Sequence, residues 1–186
     1  MFKYIGLLPF NIIITVFNYL FCWLIALFVS KDWKLPKWLC WFETTDALMN
    51  GKGTINLGDG KCGGGDIDFY NKHLNDSVWW TSLCWLCQNP VNGFDETVCG
   101  GVVEGDVKYI GNVNMESPNK HLFRLTWCNN RKSLLYSPFE LYWKYKYTSK
   151  KMIRIRIGWK LSKYLENENE KSIAQYVFVV NPFANV

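Results

Sequence analysis

Histidine is scarce in this chain: His73 and His121 are the only two in 186 residues. No Ser or Cys motif of a known nucleophile surrounds either, so the sequence offers no ready Ser-His or Cys-His arrangement. Acids such as Glu43, Asp46, Asp95 and Glu96 have no spacing that marks a catalytic pair. A second metal knuckle is also missing. Cys84-Trp85-Leu86-Cys87 is a lone Cys-x-x-Cys, and Cys62, Cys99, Cys128, His73 and His121 stand singly. Zinc needs four ligands, commonly from two such pairs. A thioredoxin-like site needs strand, motif and helix in order, whereas this motif falls late in a Trp-rich helical stretch. No metal, cofactor or catalytic set is therefore expected. The cysteines number seven, an odd count without the regular spacing of a secreted disulfide framework, and a reducing compartment is the simpler setting. A net charge of +5 is too mild to argue for nucleic acid.

Charge of either sign is absent from Tyr4 to Val29. That run exceeds the roughly 20 apolar residues that cross a bilayer as a helix, and it is too long for a signal-peptide core. It predicts a single transmembrane helix within an anchor at 1–30. Lys3 precedes it, while Lys31, Lys34 and Lys37 follow, which places the C-terminal domain in the cytoplasm by the positive-inside rule. Within the run, Asn11, Thr15, Asn18 and Cys22 make one polar stripe. Such a stripe serves self-association or docking on another membrane protein, unless the asparagines are simply tolerated.

What is abundant is aromatic. Ten Trp is a high number for this length, and Trp favours sites where one end of the ring is apolar and the other wet. Trp33, Trp38 and Trp41 follow the anchor directly and suit the headgroup layer, in an interfacial segment at 31–50. Residues 51–74 read as a Gly-rich connector. Gly60-Lys61 is followed by Cys62, so no phosphate-binding loop of the Walker type is present, and Asp59, Asp66 and Asp68 do not have EF-hand spacing.

A domain at 75–186 follows. Its first element is a helix at 75–88, capped by Asn75 or Asp76, with Val78, Trp79, Leu83, Leu86 and Cys87 on its apolar side. After residue 101 the period changes to two, with strands expected at 102–110, 121–128, 139–147, 152–161 and 174–181. Residues 166–172 form an acidic turn before the last. The fold class is thus α+β: one transmembrane helix, then a small domain on an antiparallel sheet. Two strands constrain each other. Leu141, Trp143 and Tyr145 must share a face with Ile153, Ile155 and Ile157, which requires a loop of three or five residues. Lys144, Lys146, Arg154, Arg156 and Lys160 then share the other face. That basic face would attract anionic lipid or a phosphorylated ligand, or be a solvated outer face.

The order of short motifs resembles a known family. "LPKWLCWFETTD" at 35–46, "WLCQNPVNGF" at 85–94, "FELYWKYKY" at 139–147, "RIRIGWKL" at 154–161 and "YVFVVNPF" at 176–183 follow an apolar N-terminus. This looks like a family of small membrane proteins encoded by tailed bacteriophages. In the family pattern an Arg precedes Asn-Pro, where this chain has Gln88, and neither Cys84 nor Cys87 belongs to it. The resemblance implies a phage source and a host inner-membrane location, but no reaction. The leading expectation is a non-enzymatic accessory protein that contacts lipid and a host or phage membrane protein, in superinfection exclusion, lysis control or counter-defence. A membrane enzyme acting on lipid or nucleotide and a virion or DNA-ejection component are the alternatives. Homo-oligomers through the anchor are a further expectation.

Overall fold

The computed structural model describes residues 2–56, 62–103, 105–115, 119–128, 137–161 and 173–185. The expected acidic turn at 166–172 and the loop around Gly60-Lys61 lie outside them. The chain is α+β, and it divides into two compact units: Met1–Leu8 with Cys99–Val186, and Pro9–Val98. The boundary differs from the expected one at residue 75.

The apolar run, uncharged after Lys3, gives one long helix, α1 (Phe2–Ile25), which ends in a 3-10 turn at Ala26–Phe28. Pro9 lies inside it. The missing proline N–H falls in the second turn, where little helix precedes the break in the hydrogen-bond ladder.

The unit Pro9–Val98 continues from α1 through a 3-10 segment, Lys37–Phe42. The expected connector at 51–74 is more ordered than its glycines suggested. It holds an antiparallel pair, β1 (Lys52–Asn56) with β2 (Cys62–Gly65), and a short helix, α2 (Ile67–Lys72). Glycine hides the alternation by which a strand is recognised, so this hairpin left no periodic signal. The carboxylate of Asp66 caps α2 by accepting from the N–H of Phe69 at 2.9 Å.

Helix α3 (Val78–Gln88) is capped by Ser77, which accepts from Trp80 N–H, rather than by Asn75 or Asp76. It buries Thr81, Ser82, Trp85 and Leu86, so its inner side is rotated from the expected one and Trp79 faces outward. The reason lies with Trp85. Its indole donates to Thr44 Oγ1 at 2.9 Å and its ring meets Phe69 edge-on, which fixes the helix azimuth. Val91, in the left-handed region, turns the chain into α4 (Asn92–Thr97). Gly93 lets α4 approach the 3-10 segment, since a Cβ there would sit 2.2 Å from the carbonyl of Cys40.

The other unit is built on a five-stranded antiparallel sheet: β4 (Val107–Gly111), β5 (His121–Cys128), β6 (Phe139–Lys146), β7 (Lys151–Trp159) and β9 (Tyr176–Asn185), in that order. A small pair, β3 (Gly101–Val102) with β8 (Ile173–Ala174), lies apart from it. The β6–β7 register is Leu141↔Ile157, Trp143↔Ile155, Tyr145↔Ile153 and Lys146↔Met152, which leaves a five-residue loop. The alternation demanded that odd count.

The same register reverses the expected inside and outside. Leu122, Arg124, Thr126, Cys128, Glu140, Tyr142 and Lys144 are the buried row, while Leu141, Trp143, Tyr145, Ile153, Ile155 and Ile157 are only half-buried. One end of the apolar side is sealed. There Tyr4 of α1 stacks on Tyr176 at 4.6 Å, meets Phe139 and Trp159 edge-on, and donates its hydroxyl to the Val177 carbonyl at 3.0 Å.

Candidate membrane-binding surface

Helix α1 has two unequal sides. Tyr4, Asn11, Asn18, Cys22 and Ile25 are buried, at the seven- and four-residue spacing of one stripe. Phe10, Ile13, Val16, Phe17, Leu20, Leu24 and Leu27 are exposed, with Phe10 at 61%, Ile13 at 63% and Leu20 at 62%. A soluble helix shows the opposite arrangement, with polar groups outward and apolar groups inward. An outer side this long and apolar is normal only against lipid or another apolar surface.

The inner stripe is held by the chain itself. Within the unit Pro9–Val98, Asn11 Nδ2 donates to the Asp95 carboxylate, and Asn18 Nδ2 donates to the Leu86 carbonyl at 3.0 Å. The thiols of Cys22 and Cys87 are 3.8 Å apart, and the Trp79 indole donates to the Trp23 carbonyl at 3.0 Å. Thr15 is half-buried. The expected association stripe therefore finds partners inside the chain: Asn11 and Asn18 are committed to α4 and α3.

Aromatic side chains extend the apolar surface within that unit. Trp38 is 68% exposed and its ring meets Phe28 edge-on; Trp41, Trp79 and Trp80 are exposed as well. Trp33 is half-buried and sits in the left-handed region, its carbonyl accepting from Met49 N–H, so it is a turn residue more than an interface one. Lys31, Lys34 and Lys37 are all exposed beside these rings.

The basic row of the sheet is a different structure from the expected one. Arg154 is exposed, Lys146, Arg156 and Lys160 are half-buried, and Lys144 is buried. Glu140, fully buried, organises them: it accepts from Arg156 at 2.5 and 2.6 Å and from Leu161 N–H at 3.1 Å, with Arg124 at 3.6 Å. Arg156, Lys144 and Arg124 surround the Tyr142 ring, 4.7, 5.3 and 6.0 Å from its centroid. Lys160 reaches away, to Gln175 Oε1 at 2.6 Å. A face buried around one carboxylate is not a solvated lipid-facing surface, and the expectation of an open basic face is withdrawn. Arg124 was missed because its strand carries a single charge; opposite Tyr142 in the register, it joins the row.

Cys87 faces Cys22, and burial, the contact with Cys22 and the nearby Cys84 push its thiol from 9.0 up to about 11. His73 is paired with Asp76 at 2.7 Å, and His121 accepts from the Trp143 indole at 2.6 Å.

These features define an α+β protein in which, among the described residues, one helix is apolar and long enough to cross a membrane. A family model described as a family of unknown function (DUF7338) matches residues 1–186, and the chain belongs to that family. Comparison with curated proteins and with solved structures gives no match.

Proposed function

We propose that the chain is a membrane-bound, non-enzymatic accessory protein of a tailed phage, held at the cytoplasmic face of the host inner membrane by α1. The observation that carries the membrane part is the outer side of α1: uncharged from Phe10 to Phe28, exposed, and backed by a polar stripe whose Asn11 and Asn18 amides donate to groups within the chain. Exposed lysines at 31, 34 and 37 suit anionic headgroups, at about 1 kcal/mol each. The odd number of cysteines, seven, suits the reducing side. The phage part rests on the motif resemblance. Acting on a host or phage membrane protein, such a factor would serve superinfection exclusion, lysis control or counter-defence. The full chain is expressed in a bacterium that supports a phage carrying the gene. Plaque formation or lysis time shifts, and the shift disappears when Ile13 and Leu20 are both changed to Glu. Unchanged plaquing and lysis timing with the wild-type chain would overturn the reading.

A further inference from the structure

Helix α1 meets the simplest requirements for crossing a bilayer, yet its contacts fit a crossing poorly. A chain with one crossing segment has its aqueous domain at an end of that segment. Here a folded, charged domain follows the helix through the unit Pro9–Val98. Asn11 holds the Asp95 carboxylate, Phe17 lies against Phe42, Asn18 holds the Leu86 carbonyl, and Trp23 accepts from Trp79.

Length makes the conflict concrete. The helix has 24 residues, about 36 Å at 1.5 Å per residue, against a hydrocarbon core of about 30 Å. Asn11 lies about 14 Å along it from Phe2. In a crossing helix the Asp95 carboxylate would sit near the middle of the core, with Glu96 beside it in a six-residue helix. An intramembrane acid is costly there and usually lines an aqueous path. Helix α3, at 11 residues, is too short to screen the site by crossing as well.

Laid parallel to the membrane, the helix meets none of these costs. Its inner stripe keeps its protein partners in the aqueous phase. Its outer side, over Phe10, Ile13, Phe17, Leu20 and Leu24, enters one leaflet. Lys31, Lys34 and Lys37 remain at the headgroups.

We infer that α1 is an in-plane membrane helix, seated in a single leaflet with both chain termini on the same side. This rests on the membrane reading and refines its topology. The test uses the full chain in the host membrane, with one epitope tag before Met1 and another after Val186. Right-side-out spheroplasts and inside-out membrane vesicles are treated with protease, and each tag is followed by immunoblot. The inference expects both tags to be lost together in inside-out vesicles and both kept in spheroplasts. Loss of one tag in each preparation places the termini on opposite sides and overturns it in favour of a crossing. Membrane reading and topology fail separately: a chain recovered wholly in the soluble fraction before protease removes both the membrane reading and the inference.

Discussion

Glu140 is the residue on which the sheet's buried side depends. It has no exposure, two cations within 4 Å and a backbone N–H bound to its second oxygen. Removing one partner from a buried ion pair leaves an uncompensated charge and costs about 3–5 kcal/mol. Glu140→Gln keeps the shape and removes the charge. Its urea unfolding free energy, measured on the full chain in detergent, should fall by an amount in that range; a loss under ~1 kcal/mol, typical of a surface pair, would contradict the assignment. Gly158 stands opposite Glu140 with a φ of 115°, and a Cβ there would lie 2.0 Å from the Phe139 carbonyl. Backbone and charge thus fix the same point of the β6–β7 pair. Cys87 gives a residue-scale prediction of another kind. Its folded thiol ionises at about 11 where an ordinary one does so at 9.0, mainly because it is desolvated. The thiolate is the reactive form, so alkylation of Cys87 in the native chain should keep rising from pH 9 toward 11. Mass spectrometry of the Cys87 peptide after timed alkylation checks this, and a plateau by pH 9 would contradict it.

Individual elements were legible to different depths, for physical reasons. The β6–β7 hairpin could be read to its parity, a loop of three or five residues, because Leu141-Trp143-Tyr145 and Ile153-Ile155-Ile157 can share a face in only one parity. Which face turned inward could not be read from those two strands. The inward choice depends on Arg124, which arrives from β5, and on Glu140 neutralising cations from two neighbours. A row that reads as solvated along one strand becomes an internal network once three strands are side by side. Helix α1 was legible from its lack of charge, but its stripe was not. Asn11 and Asn18 asked for partners, and the partners lie 84 and 68 residues away, in α4 and α3. Nothing local distinguishes an asparagine waiting for another protein from one waiting for its own chain. The expected helix at 75–88 came within a few residues, but its cap is Ser77, and its azimuth differs because Trp85 outweighs Val78 and Trp79 in choosing the inner side.

At the scale of the molecule, α1 turns its asparagines toward partners in its own chain and an apolar side outward. Each of the two units contains part of α1, so this helix belongs to the folded chain and is more than a tether joined to it. The apolar outer side of α1 is too large to leave in water without consequence. Its burial in lipid is the central claim. The most direct measurement is flotation: the full chain is made by cell-free synthesis with anionic liposomes present, then spun through a density gradient. The wild-type chain should rise with the lipid. The double variant Ile13→Glu with Leu20→Glu changes two outer positions that are both more than half exposed, so it should keep its circular dichroism spectrum and stay at the bottom. Equal flotation of the folded variant, or a wild-type chain that stays soluble and does not float, would contradict the account.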